Sequence, residues 1–173
     1  MTIVKRRIFF NYEKEEKWIN KMAQEGLHLV KYSLTKYTFE EGEAGAYQYR
    51  IQYLGDQSEE ENEEYFQILK DGGIEVVAFD MNWAIFRKKS EEGSFDIFSD
   101  ASSKIRHYHS ISKMLGILAI VNLFLGFLNF SFDTTLNIAV SLLNFTVTII
   151  ILIMISYYLR RAKKLSDQRA SLD

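Results

Sequence analysis

Cysteine is absent from this chain of 173 residues. Without thiols the protein can build neither a disulfide scaffold nor a thiolate metal site, and the absence fits a reducing compartment. The first ten residues, MTIVKRRIFF, also lack the apolar core of a secretory signal and are typical of a charged strand. These absences favour a cytoplasmic setting for the first part of the chain.

Catalytic motifs are missing as well. The chain has no GxGxxG, GxxxxGK[ST] or HExxH pattern. We expect His28 to lie on a strand, with its side chain facing the protein surface. His107 and His109, two residues apart on a helix, point in different directions and cannot form a metal-binding pair. The acidic run SEEENEE at 58–64 is typical of a solvated helix start. The sequence therefore predicts no catalytic residues, no metal ligands and no cofactor.

Basic charge is also scarce in the first 110 residues, which carry 15 Lys and Arg against 20 Asp and Glu. Two short basic clusters, 5–7 and 87–89, lie at predicted strand ends. A surface that reads phosphates needs a basic stripe that dominates the charge of its domain. We therefore expect no nucleic-acid partner; the clusters are either strand flanks or contacts for anionic lipid headgroups.

Two long uncharged stretches follow, residues 114–132 and 136–159. At a rise of about 1.5 Å per residue, the shorter stretch covers roughly 28 Å, close to the ~30 Å hydrocarbon core of a bilayer. Soluble helices of this length nearly always carry a polar stripe. The sequence predicts two transmembrane helices, joined by an extracytoplasmic turn at 133–135 into an antiparallel hairpin.

The basic residues near these stretches predict the orientation of the hairpin. They precede the first stretch and follow the second, whereas the turn has none; they are Lys104, Arg106, Lys113, Arg160, Arg161, Lys163 and Lys164. Basic flanks remain cytoplasmic. We therefore predict a two-pass protein of the cell membrane with both termini in the cytoplasm, the bilayer as a partner, and a basic cytoplasmic tail at 160–173.

The first hundred residues contain an internal repeat. Alignment of Gly26 with Gly73 matches Trp18 with Tyr65, Ile19 with Phe66, Met22 with Leu69, Leu29 with Val76 and Phe39 with Phe86. Each copy reads as an apolar helix face, a glycine suited to the helix end, and two short strands. Strand candidates at 5–10 and 46–54 precede the helices, and Asn11 and the Ser58–Glu61 capping box start them.

The repeated unit is thus strand–helix–strand–strand, at about 5–40 and 46–89. Two such units predict an α+β, two-layer domain over 1–99, with two helices on one mostly antiparallel sheet. Spacing of apolar residues at 105, 108, 111 and 115 predicts a juxtamembrane helix over 100–113 that continues into the first span. This helix is either a plain tether or a route for a signal.

Aromatic residues on the predicted strands form the candidate ligand cleft. Tyr47, Tyr49 and Tyr53 alternate along one strand, and Trp83 begins another. With two helices to cover six strands, one sheet face is expected to be partly open, and these rings could line a ligand site there. The alternative is that they form the core and its cross-strand pairs.

Four asparagines lie in the predicted spans: Asn122, Asn129, Asn137 and Asn144. Each helix carries two, seven residues apart and therefore on nearly one face. In an antiparallel hairpin, 122 lies level with 144 and 129 with 137. We predict hairpin packing with amide-to-amide hydrogen bonds; alternatively the outer pair is hydrated or faces another subunit.

Four blocks of sequence carry a family resemblance: RIFFNYEKEEKWINKMAQEGLHLVKY, YTFEEGEAGAYQYRIQYL, GIEVVAFDMNWAIFRK and FDIFSDASSKIRHYHSI. From about residue 5 to 111, and on into the hairpin, the chain resembles the bacterial family known as domain of unknown function 2812. The resemblance implies a membrane-attached cytoplasmic domain of Firmicutes, often encoded beside PadR-type transcription regulators. It favours regulation and supplies no catalytic residues.

These observations favour a non-catalytic, membrane-anchored cytoplasmic sensory, regulatory or binding module with a protein, lipid or small-molecule partner. The alternative is an accessory subunit of a membrane transport or signalling complex, docked or oligomerised through its hairpin. An unrecognised enzyme is the third hypothesis.

Overall fold

A computed structural model describes residues 1–55, 57–132 and 134–171. The chain divides into two compact units, residues 1–97 and 98–173. The division falls two residues before the boundary expected at 99/100. Part of the predicted turn, Asp133, lies outside the described residues.

The first unit contains two successive strand–helix–strand–strand segments, so the predicted α+β class is confirmed. The first segment is β1 (Thr2–Arg6), α1 (Tyr12–Gln24), β2 (Leu27–Ser33) and β3 (Lys36–Glu41). The second is β4 (Tyr47–Tyr53), α2 (Glu59–Asp71), β5 (Ile74–Asp80) and β6 (Trp83–Lys89), with a 3-10 turn at Ser90–Glu92. Strand β1 lies earlier than the predicted 5–10, because it pairs along β3 from Thr2 opposite Glu40 to Arg6 opposite Lys36.

The strands form two three-stranded antiparallel sheets, ordered β1-β3-β2 and β4-β6-β5. The expected single sheet was therefore wrong, although each segment has the same strand order. Edge strands β2 and β5 contact each other. Each carries a β-bulge, between Leu29 and Lys31 in β2 and between Val76 and Ala78 in β5. A bulge bends its strand and locally increases the strand twist, here within the β2–β3 and β5–β6 ladders.

The local geometry of the two segments matches at several equivalent positions. The two bulges are 47 residues apart, as are Gly26 and Gly73, whose φ angles are 79° and 77°. The same spacing relates Leu34 and Met81, at φ 52° and 49°. Left-handed backbone at the two glycines ends each helix and turns the chain into the following strand.

Both helices start as their sequences predict. The Asn11 side chain accepts a hydrogen bond from the Lys14 amide at the start of α1. Ser58 and Glu61 form a complete capping box at the start of α2. Each cap satisfies amides that the first helical turn leaves unpaired. The predicted caps are therefore confirmed.

Apolar side chains of both segments form the core of the first unit. Ile19, Leu29 and Phe39 are fully buried in the first segment. In the second, Leu54, Ala84, Phe86 and Phe95 form one buried cluster under α2. Phe95 follows the last strand, so residues beyond the two strand–helix–strand–strand segments complete the core of the unit.

The second unit consists of two long helices, α3 (Ala101–Phe130) and α4 (Thr135–Ala170). Asp100 caps α3, and the predicted juxtamembrane helix and first span form one continuous helix. The helices pack antiparallel: Gly126 lies opposite Ser141, and Tyr108 stacks on Tyr158 at 6.0 Å. Both are long and apolar enough to cross a membrane, by length and composition.

Candidate functional site

The four aromatic residues of the candidate cleft do not surround one space. Tyr47, Tyr49 and Tyr53 point to the same side of β4, as their alternation predicts. Tyr49 is fully buried, and its hydroxyl donates a hydrogen bond to the Leu29 carbonyl oxygen at 3.3 Å. This bond joins the two segments. Tyr49 is thus part of the core, and it separates an aromatic group around Tyr53 from another around Tyr47.

The Tyr53 group lies at the end of β4 where β6 begins. Tyr53 and Trp83 are directly opposite residues on the two strands, with ring centroids 5.2 Å apart. Tyr12, from the first turn of α1, lies 5.7 Å from Trp83. Tyr53 is buried and Trp83 is half-buried. The group holds α1 against the second segment, and Trp83 is its accessible member.

The Tyr47 group is polar and joins four strands. The His28 ring stands edge-on to the Tyr47 ring at 5.2 Å, and the Arg87 guanidinium lies 4.5 Å from the same ring. Glu75 Oε2 accepts hydrogen bonds from Arg87, 2.7 Å from Nε and 2.6 Å from Nη2. We call His28, Tyr47, Glu75 and Arg87 the His28 cluster.

The expectation that His28 faces the surface was wrong. The residue is 6% exposed, and its Nε2 lies 2.8 Å from the Glu43 carbonyl oxygen. Its Nδ1 is buried and has no hydrogen-bond partner among the described residues. The reason is the loop before β4. Gly42 lies so close that a Cβ atom there would come 2.7 Å from the imidazole. The loop covers a strand position that a simple alternation assigns to solvent.

Electrostatics in the His28 cluster favour a fixed ion pair. Burial opposes the charge on Arg87, but its contacts with Glu75 and Tyr49 outweigh burial and raise its pKa. Burial also raises the pKa of Tyr49, so this phenol remains neutral. A permanently charged guanidinium held over an aromatic ring suits recognition or cross-linking of strands. It does not suit proton transfer.

A second polar pair, which the sequence reading missed, lies in the first segment. The Tyr37 hydroxyl donates to Glu15 Oε1 at 2.7 Å, and Trp18 lies edge-on to Tyr37 at 4.9 Å. Burial raises the pKa of Glu15, and the bond from Tyr37 offsets only part of the rise. Burial and this bond also raise the pKa of Tyr37. The sequence signal for this pair was the position of Glu15, which lies three residues before Trp18 and therefore on the apolar face of α1.

Helix α1 also protects the free edge of β4. The Asn20 side chain accepts from the Tyr49 amide and donates to the Tyr49 carbonyl, both at 2.9 Å. Glu16, one turn earlier, accepts from the Ile51 amide at 2.8 Å. These two side chains replace a neighbouring strand along this edge. Polar residues four apart on α1 were the sequence signal for this role.

The second unit has a seam of small and polar residues between its helices. Along α3 the buried or half-buried positions repeat at alternating steps of three and four, as do those along α4. They are Ser112, Leu115, Ala119, Asn122, Gly126 and Asn129 on α3, and Asn137, Ser141, Asn144, Thr148, Ile151, Ile155 and Tyr158 on α4. All four predicted asparagines lie in this seam.

The asparagine amides do not bond as expected. Asn122 and Asn129 donate to carbonyls of their own helix, at Leu118 (3.5 Å) and Leu125 (2.8 Å). Near these asparagines, a cross-helix bond runs instead from Ser141 Oγ to the Gly126 carbonyl oxygen at 2.8 Å. Gly126 permits the close approach, because a Cβ there would come 2.7 Å from the Phe145 ring. Because Gly126 has no side chain, the short Ser141 side chain can reach the backbone of the facing helix directly, whereas a bond between two asparagine amides needs more space between the helices.

Within residues 1–55, 57–132 and 134–171, no group of three His, Asp or Glu side chains is placed to hold a metal ion. The polar groups that do meet are already engaged with each other, as in the Arg87–Glu75 and Tyr37–Glu15 pairs. Of the four residues of the candidate cleft, Tyr49 and Tyr53 are buried, whereas Tyr47 and Trp83 are half-buried.

Comparison with known proteins identifies the family. The family described as "Protein of unknown function (DUF2812)" matches residues 11–120, which is more than half of the chain. The match covers α1 to β6 and continues into α3. No curated protein and no solved structure matches the chain. The chain therefore belongs to the DUF2812 family of proteins of unknown function.

Proposed function

We propose that this protein is a non-catalytic, membrane-anchored cytoplasmic binding module with a regulatory role. The outer faces of α3 and α4 carry the argument. Large apolar side chains are more than half exposed on both helices: Ile120, Phe124, Phe127, Leu142 and Ile153. Apolar surface on this scale is unusual in contact with water and is compatible with lipid.

The orientation of the anchor follows from charge. Arg160, Lys163 and Lys164 follow the apolar part of α4, and Lys104 and Arg106 lie in the first turns of α3. Since basic flanks remain cytoplasmic, both ends of the hairpin and the first unit lie inside. We expect the protein to stay in the membrane pellet after alkaline extraction, and a C-terminal reporter active only outside the cytoplasm to stay silent. Release into the supernatant would refute the anchor.

The binding role is assigned to the first unit, near Tyr47 and Trp83. Both rings are half-buried. The Tyr47 ring lies beside His28, and the Trp83 ring lies beside Tyr12. The test is purification of the full chain in mild detergent, with mass spectrometry of proteins and small molecules that accompany it. A genuine partner should be lost from Tyr47→Ala or Trp83→Ala but retained by Tyr157→Ala, which alters the second unit. Equal retention by all three variants would refute this assignment.

An accessory-subunit role is the second candidate, because the apolar outer faces suit a partner helix as well as lipid. Cysteines at 122 and 144, level with each other in this cysteine-free chain, distinguish the two. Crosslinks within one molecule favour an independent hairpin. Crosslinks only between molecules would favour assembly through the hairpin.

A further inference from the structure

Helix α4 extends well beyond its apolar part. Its uncharged stretch ends at Leu159, but the helix continues to Ala170. From 160 to 164 the helix rises roughly 6 Å. A bilayer is ~40–45 Å thick with its headgroups and ~30 Å thick without them. One headgroup layer is therefore about as thick as this part of the helix is long.

Tyrosines mark the same depth independently. Tyr157 and Tyr158 lie immediately before these residues, and Tyr108 of α3 stacks on Tyr158. Tyrosine is enriched at membrane–water interfaces because its ring is apolar and its hydroxyl is polar. Residues 160–164 therefore reach the level of lipid phosphates once α4 spans a bilayer.

One face of α4 forms a groove at this level. The groove is shallow and widely open to solvent, with a volume of about 420 Å³, and it is lined by Arg160, Lys163, Lys164, Asp167, Gln168 and Ser171. These positions follow the three- and four-residue spacing of a single helix face. All three cations are exposed, and none forms an ion pair with another residue that the structure describes. Three cations against one carboxylate leave the groove positive.

We propose that this groove binds the phosphate of an anionic phospholipid in the cytoplasmic leaflet. The guanidinium of Arg160 can hold two phosphate oxygens, and Lys163 and Lys164 add point charges. Gln168 and Ser171 supply hydrogen-bonding groups farther from the membrane for the rest of the headgroup. Orientation alone requires basic residues near the span but no shared face and no groove. The proposal rests on the membrane anchor proposed above.

The test uses the full chain in mild detergent with equal amounts of phosphatidylglycerol and phosphatidylcholine, and native mass spectrometry to count bound lipids. Each basic residue near an anionic surface contributes about fivefold, so three should give a preference on the order of a hundredfold for phosphatidylglycerol. R160Q/K163Q/K164Q should abolish it. K14Q/K17Q/K70Q, with the same loss of charge in the first unit, should keep it, as should the charge-preserving R160K/K163R/K164R.

The outcomes separate the lipid site from the anchor. A wild-type protein that resists alkaline extraction but shows no phosphatidylglycerol preference would refute the lipid site and leave the anchor intact. An unchanged preference in R160Q/K163Q/K164Q would also refute it. Displacement of the lipid by inorganic phosphate would reassign the groove to a soluble anion. A protein released by alkaline extraction would refute the anchor itself.

Discussion

The carboxylate of Glu15 lies in a poor environment for a negative charge. Glu15 is half-buried, and its carboxylate accepts a hydrogen bond from the Tyr37 hydroxyl at 2.7 Å. Burial raises its pKa above the ordinary 4.5, with the Tyr37 bond opposing the shift. Because folding favours the protonated form, the stability linked to Glu15 is present below about pH 4.5 and is lost as the pH rises through the folded-state pKa.

Glu15→Gln should therefore become more stable relative to wild type as the pH rises from about 4 to 7. The glutamine keeps an oxygen for Tyr37 but cannot ionise. Urea unfolding at several pH values measures the difference. Glu64→Gln, at an exposed position of α2, serves as the control and should follow the wild-type profile. A constant offset between Glu15→Gln and wild type across this range would contradict the argument.

At the scale of elements, α1 has a role that α2 lacks. Asn20 bonds both backbone groups of Tyr49 on the edge of β4. The equivalent residue of α2, 47 positions later, is Gln67, which is exposed and bonds only Asp71 of its own helix among the described contacts. The segments match in backbone and differ in what their helices cover.

Asn20→Leu should destabilise the first unit by about 2 kcal/mol, because two backbone groups of β4 lose their partners. Gln67→Leu is the matched control on the other helix and should cost less than about 0.5 kcal/mol. Denaturant unfolding of both variants compares them directly. Equal losses would mean that water replaces Asn20 at the strand edge without cost.

Close packing of α3 against α4 in the seam depends on the small residue Gly126. A Cβ at Gly126 would lie 2.7 Å from the Phe145 ring, whereas a Cβ at Gly116 would meet nothing within 4 Å. Gly126→Ala should therefore destabilise helix packing by roughly 1–3 kcal/mol. Gly116→Ala on the same helix should be nearly neutral. Unfolding in mixed detergent–SDS micelles measures both, and similar losses would exclude a tight seam at Gly126.

At the scale of the whole molecule, the first unit needs more than its two segments. Phe95 is buried against the second segment, and Gln48 fixes its backbone by accepting from the Phe95 amide. Gln48 Nε2 also donates a hydrogen bond to the Gly93 carbonyl oxygen. The Gln48 side chain therefore holds the chain after β6 at two points. The boundary of the unit at residue 97 thus reflects packing beyond β6.

A fragment of residues 1–97 should fold alone with one cooperative transition, since it contains a complete core. A fragment of residues 1–89 should lose about 3–5 kcal/mol, as expected when a buried phenylalanine is removed. Phe95→Ala in the longer fragment should reproduce most of this loss. Circular dichroism during thermal and urea unfolding tests all three. Aggregation of 1–97 without a transition would mean that the first unit requires the hairpin or a partner.

Local features of the chain were determined by the sequence alone. Helix caps at Asn11 and Ser58, left-handed glycines at 26 and 73, and the two long apolar helices depend on neighbouring residues, so periodicity and spacing predict them. Family membership follows from the same local blocks.

Only the tertiary structure decided which distant residues meet. The burial of His28 depends on a loop 15 residues away, and the capping of the β4 edge by Asn20 spans 29 residues. The six strands form two sheets instead of one because β2 and β5 contact each other without a backbone hydrogen-bond ladder. In the hairpin, equal depth was predictable from numbering, but the choice of Ser141 over the asparagines depended on how closely Gly126 lets the helices approach. Such contacts depend on packing distances, which residue spacing along a chain does not contain.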